Sequence, residues 1–87
     1  YQNYPNPFNP TTTIRFDIPE PSHISLKVYN LMGQEVRTLT NEWLPTGSHR
    51  LIWNGKDQRG IPVSAGVYIY RLQSQNFQKT WKMVLLK

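Results

Sequence analysis

The chain has 87 residues, 38% of them hydrophobic and 13% aromatic, with no cysteine and a formal net charge of +5. That size means one domain with one modest core, which buries roughly 60% of the surface the unfolded chain exposes and leaves little room for a deep catalytic cleft. The missing cysteines exclude a disulfide framework and a thiolate zinc site, and the apolar and aromatic content excludes a typical disordered tail.

The first ten residues hold Pro5, Pro7 and Pro10. Proline fixes φ and removes an amide donor, so residues 1–10 read as a stiff, extended lead-in, with Tyr4 and Phe8 expected to pin it to the edge of a sandwich of strands. Residues 11–87 read as those strands. In Thr11–Ile18 the apolar Ile14, Phe16 and Ile18 alternate with Thr13, Arg15 and Asp17, the pattern of a half-buried strand. Pro19 and Pro21 stop it. The alternation restarts at Ile24, Leu26 and Val28, with Ser25, Lys27 and Tyr29 on the opposite face. Asn30–Gly33 is a tight turn in which Gly33 supplies a positive φ, and Glu35–Leu39 is the returning strand of that hairpin.

Asn41–Gly47, with Pro45 and Gly47, reads as a loop. Ser48–Trp53 is a strand with Leu51 and Trp53 on one face and Arg50 and Ile52 on the other. The polar stretch Asn54–Gly60 is a loop, and Ile61–Val63 a short edge piece. Val67–Gln73 places Tyr68, Tyr70 and Leu72 on one face. After a turn at Ser74–Asn76, Phe77–Leu86 is the last strand, apolar on both faces: Trp81, Met83 and Leu85 on one, Val84 and Leu86 on the other. A strand with one solvent face should alternate, so either both faces are buried or one is kept for a partner, and an exposed edge would suit strand addition. No segment has a helical period. About seven short strands at a spacing of about ten residues imply an all-β, immunoglobulin-like antiparallel sandwich.

Candidate chemistry is sparse. The two histidines and five acids carry no nucleophile–base spacing and no motif around a serine, and no pair of carboxylates is marked for glycoside hydrolysis. Asn54–Gly60 offers a calcium ion the single carboxylate of Asp57, where about six to eight oxygens are wanted, so an Asp57-stabilised turn is the simpler reading. No metal or cofactor is expected. The ten cations are scattered, which argues against a nucleic-acid stripe. No apolar run approaches the roughly 20 residues of a membrane helix, so no membrane insertion is expected. Trp53, Tyr68 and Tyr70 alternate in phase with core residues. Trp43, Trp53, Trp81, Tyr29, Tyr68 and Tyr70 could each offer a flat face to a sugar ring, and Trp43, in a loop before Pro45, is the one expected to be exposed and to make that contact.

Several stretches taken together carry a resemblance: Asn3–Pro10 followed by Thr11–Phe16, Val28–Val36, Trp53–Asp57, Gly60 through Leu72, and the terminal Lys82-Met83-Val84-Leu85-Leu86-Lys87. Their order, over essentially the whole chain, resembles the type A C-terminal sorting domains of the type IX secretion system, the export route of Bacteroidota and relatives. The middle portion also resembles the immunoglobulin-like domain of flagellar hook-capping proteins.

The first resemblance implies a non-enzymatic secretion signal. It directs an N-terminally attached cargo from the periplasm through an outer-membrane translocon to the cell surface or medium. A surface cysteine peptidase then cleaves the domain off and the cargo is anchored. It also implies recognition at Gly66 and Tyr68 and over Lys82, Met83, Val84, Leu85, Leu86 and Lys87. The alternative is a passive or carbohydrate-binding sandwich appended to a secreted enzyme, with Trp43 as its contact. The chain opens on Tyr1 rather than a methionine and reads as a piece of a longer protein. An unprotected edge strand would also permit a dimer.

Overall fold

The computed structural model of the chain describes residues 1–86. Among these residues six strands form: β1 (Thr12–Ile18), β2 (Ser22–Asn30), β3 (Glu35–Leu44), β4 (Gly47–Trp53), β5 (Gly66–Gln73) and β6 (Gln78–Leu85). Strands β1 and β4 make a two-stranded antiparallel sheet, and the other four make an antiparallel sheet in the order β3-β2-β5-β6. The fold is therefore the expected all-β, immunoglobulin-like sandwich.

The core follows from the alternation of each strand. Ile14, Phe16 and Ile18 of β1 face Ile24, Leu26 and Val28 of β2, together with Tyr68, Tyr70 and Leu72 of β5 and Met83 and Leu85 of β6. Trp53 closes one end, its ring 5.3 Å from that of Tyr68 and 5.7 Å from that of Phe8, and its indole N–H donates to the Lys56 carbonyl at 2.9 Å. That bond satisfies the one polar atom of an otherwise fully buried side chain. The β2–β3 hairpin is made by Asn30, whose Oδ1 accepts from the amides of Met32 and Gln34, and by Gly33 at φ 83°. A side chain at that φ would strain the turn.

Two expectations about the strands are corrected. Asn41–Gly47 is not all loop, because β3 continues to Leu44, paired with the long start of β2 from Ser25↔Asn41 to Ser22↔Leu44. This part of β3 has little buried apolar surface, so its backbone pairing leaves no alternating signature. The seventh strand does not form. Pro62 makes only an isolated bridge with Lys56, since it lacks an amide with which to extend a ladder.

The first ten residues are built into the sandwich. Phe8 is 1% exposed, and its backbone runs parallel to β6: its amide donates to the Val84 carbonyl (2.9 Å), and its carbonyl accepts from the Leu86 amide (2.7 Å). The Asn6 side-chain oxygen accepts from the Val84 amide, and the Gln2 side-chain Nε2 donates to the Lys82 carbonyl. On the opposite sheet, Tyr4 exchanges two backbone bonds with Thr13 of β1. The segment thus lies along β1 and β6 and bridges the two sheets. Tyr4 contributes only its backbone here, its ring being 80% exposed, so of the two expected pins the side chain of Phe8 alone acts as one.

A buried polar cluster completes the attachment. Asn3 is buried, its amide donates to the Tyr70 hydroxyl oxygen (2.7 Å), and its side chain donates to Thr12 Oγ1 and the Pro5 carbonyl. The Tyr70 hydroxyl in turn donates to the Tyr1 carbonyl (3.1 Å). Tyr70→Phe strands the Asn3 amide and should destabilise the chain by about 1–3 kcal/mol in urea unfolding. Burial pushes the Tyr70 hydroxyl up to about 12, against a smaller opposing pull from the Asn3 amide. The folded form therefore keeps its proton where the unfolded chain, near 10, has lost it. That contribution is complete below pH 10 and is lost as pH rises toward 12. Unfolding curves of Tyr70→Phe should be flatter over that window than those of the parent chain.

Candidate functional site

The last strand and its neighbours hold most of the expected recognition residues, and the structure divides them. Met83 and Leu85 point inward and are essentially unexposed, as is Tyr68 apart from its tip, whose hydroxyl donates to the Ser64 carbonyl at 2.6 Å. Lys82 and Val84 point outward, and Leu86, just beyond the strand, is 48% exposed. Gly66 pairs with Leu85 at φ 147°, with nothing within 4 Å of where a Cβ would stand, so backbone conformation rather than crowding selects glycine there. Lys87 lies outside the described residues.

The outward side chains of β6 continue across the sheet. Val84 is opposite Val67 and Lys82 opposite Ile69, and Ile69 is opposite Tyr29 of β2. Arg71 covers the Tyr29 ring from 5.0 Å, and Lys27 pairs with Glu35 at 3.3 Å. The result is a half-buried aliphatic strip, Val67–Ile69–Val84, ending in the exposed Leu86. Burial on the inner side explains why the strand is apolar on both faces only in part: the outer apolar residues are accessible.

The expectation of a free terminal edge is corrected. From the Lys82 carbonyl to the Leu86 amide the outward-facing backbone groups of this edge are taken by Gln2, Asn6 and Phe8. Strand addition there would have to displace the lead-in. The reason is physical: an unpaired edge in a small sandwich is an aggregation hazard, and proline-rich backbone, which cannot propagate a ladder, is a suitable cover.

The Asn54–Gly60 loop is organised by Asp57, whose Oδ1 accepts from the amides of Arg59 (2.9 Å) and Ile61 (3.0 Å). It covers the edge of β3 at Val36–Thr38. The Gln58 amide donates to the Val36 carbonyl, its side-chain oxygen accepts from the Thr38 amide, and Arg37 donates to the Asp57 carbonyl. The Ile61 amide, then that of Arg59 together with the cationic Arg59 and Arg37, holds the Asp57 carboxyl below its ordinary 3.8. The Asp57 contribution is therefore present above pH 3.8 and lost as pH falls through the lower folded value. Asp57→Ala should lower Tm at pH 7 and weaken the acid dependence of Tm below about pH 4, and millimolar calcium should not change Tm.

Trp43 is 64% exposed, as expected, but on β3 rather than in a loop, and among the described residues no aromatic ring stacks on it. An aromatic cleft that the sequence did not suggest lies elsewhere. Tyr1, Phe16, Phe77 and Trp81 line a cleft of about 400 Å³ with Leu72, Asp17 and Lys79. Trp81 shares the phase of Met83 and Leu85 and is one of the aromatics that the sequence offers as a flat face for a sugar ring. In the structure its ring stacks on Tyr70 (5.2 Å) while remaining part of the cleft wall. Among the described residues no helix is long and apolar enough to cross a membrane, and no cluster of three metal-ligating side chains is present.

Comparison with known proteins places these features in a family. Residues 5–77 match the FlgD Ig-like domain, a longer stretch than the middle portion that carries the hook-capping resemblance in the sequence. Three solved structures are similar. PorZ, described as an essential surface component of the type-IX secretion system of Porphyromonas gingivalis, superposes over 99% of this chain with TM-score 0.69 and 21% identity. Dimeric latent PorU from the same organism does so over 98% with TM-score 0.71 and 19% identity. FlgD from P. aeruginosa does so over 85% with TM-score 0.65 and 25% identity. This chain spans 11% of the PorZ chain, 9% of the PorU chain and 58% of the FlgD chain. No curated protein matches.

Proposed function

We propose that this chain, which belongs to the FlgD Ig-like domain family, serves as a folded export address for a type IX secretion system. One observation carries the reading. Nearly the whole chain superposes on a small part of PorZ and of PorU, two much larger proteins, the first of them a type IX surface component. The ordered motifs from Asn3–Pro10 to Lys82–Lys87 support the same reading.

In this reading the domain catalyses nothing and needs no cofactor. It follows an N-terminally attached cargo through the periplasm, is recognised by the outer-membrane translocon, and reaches the cell surface, where a cysteine peptidase separates it from the cargo. The recognised surface is the outer strip of β5 and β6, with Lys82, Val84 and Leu86 at its rim. Tyr68, Met83 and Leu85 act by holding that strip in shape, and Gly66 by permitting the backbone at the start of β5.

The test is an export assay in a host with the type IX machinery. A periplasmic fluorescent reporter is fused to the 87 residues through a short linker and compared with the reporter alone. Surface or medium fluorescence from the fusion only is the expected result, and equal retention of both in the periplasm would refute the reading. Truncation after Thr80 is a poor control, because it removes Met83 and Leu85 from the core and the backbone that holds Phe8.

A further inference from the structure

The outer face of the β1–β4 sheet carries an arrangement that neither folding nor the export reading explains. Arg15 and Arg50 are direct register partners and both are exposed. Like charges directly opposite one another destabilise a strand pair. Among the described residues the only salt bridge is Lys27–Glu35, so no carboxylate neutralises either guanidinium. The nearest candidate on that face is Asp17, two residues from Arg15. It is turned to other partners: one oxygen accepts from the Tyr1 hydroxyl (2.9 Å) and the other from Ser48 Oγ (2.8 Å).

Arg15, Arg50, Asp17, Ser48, His49 and Tyr1 line a cleft of about 510 Å³. Tyr1 and Asp17 also line the aromatic cleft of Phe77 and Trp81, so the two clefts meet at these residues. One end presents two planar, bidentate cations. The middle presents a fixed carboxylate and a serine hydroxyl. The other end presents flat aromatic faces and the Lys79 ammonium. Paired guanidiniums suit a phosphate or sulfate oxyanion. A carboxylate held in place accepts from hydroxyl groups, and aromatic faces take the C–H side of a sugar ring.

We propose that this double cleft binds a saccharide bearing a phosphate or sulfate ester, with the ester on Arg15 and Arg50, ring hydroxyls on Asp17, and the ring against Trp81 and Phe77. The site is independent of the outer β5–β6 strip and of the export reading.

The test is a titration of the 87-residue chain followed by amide chemical shifts, with glucose 6-phosphate, glucose and inorganic phosphate as separate probes. Glucose 6-phosphate should bind at least about tenfold more tightly than either of the others, and Arg50→Gln or Arg15→Gln should remove about tenfold or more of that affinity, as loss of a charge-assisted bond predicts. Both variants should keep or slightly raise Tm, since each relieves the opposed charges. Equal affinity for inorganic phosphate would reduce the site to an adventitious ion only and overturn the saccharide assignment. Equal affinity for glucose, or no shifts in the double cleft, would overturn it outright. A clear fall in Tm for both arginine variants would show the pair to be structural and would also overturn it.

Discussion

Phe8→Ala should lower the unfolding free energy by about 3–5 kcal/mol, the range for emptying a large aromatic from a core. The side chain is 1% exposed, its ring lies against Trp53, and its backbone pairs in parallel with β6. For a domain whose whole stability is of order 5–15 kcal/mol, that is a large fraction. It corresponds to a fall in Tm on the order of 15 °C or more. Urea unfolding followed by tryptophan fluorescence reads it directly. The matched control is Tyr4→Ala. That ring is 80% exposed and the residue holds β1 by backbone alone, so a change within about 0.5 kcal/mol is expected. A loss below about 1 kcal/mol for Phe8→Ala would mean that the first ten residues lie on the sandwich without contributing to it.

The second large effect separates docking from folding within one strand. Val84→Thr combined with Leu86→Thr should leave stability within about 1 kcal/mol, because both side chains face outward and threonine keeps the strand preference. The backbone bonds of these residues to Asn6 and Phe8 do not depend on their side chains. Export of a fused reporter should nevertheless fall by an order of magnitude or more, as expected when central apolar contacts of an interface are lost. Met83→Ala is the opposite case: it empties a core position, should cost about 2–5 kcal/mol, and should reduce export only as far as it reduces the folded fraction. Wild-type export from the Val84/Leu86 double variant would remove the outer strip from the recognition surface.

Particular residues show why the candidate site was only half legible. Val84 and Leu86 were set apart from Met83 and Leu85 by period-two alternation alone, and the structure keeps that division. The state of the strand's edge was not readable. Its covers, Gln2, Asn6 and Phe8, lie about 80 residues away in the chain, and nothing local to either segment encodes which edge a proline-rich stretch will follow. Trp81 shares the inward phase of Met83 and Leu85, but inward at its position still means the wall of a cleft.

Strand positions, the inward set of side chains and the Asn30–Gly33 turn were determined within a few residues of each position. Side-chain alternation and positive φ are local properties of the backbone, and they already select an all-β sandwich. Tertiary structure alone decided how far β3 extends beyond Leu39, that the first ten residues seal β6, and that Arg15 stands opposite Arg50. Each of these depends on register and on which strand lies beside which. Those are fixed by the joint burial of Phe8, Trp53, Tyr70 and Leu85 from four distant segments, a condition that exists only once the core has formed.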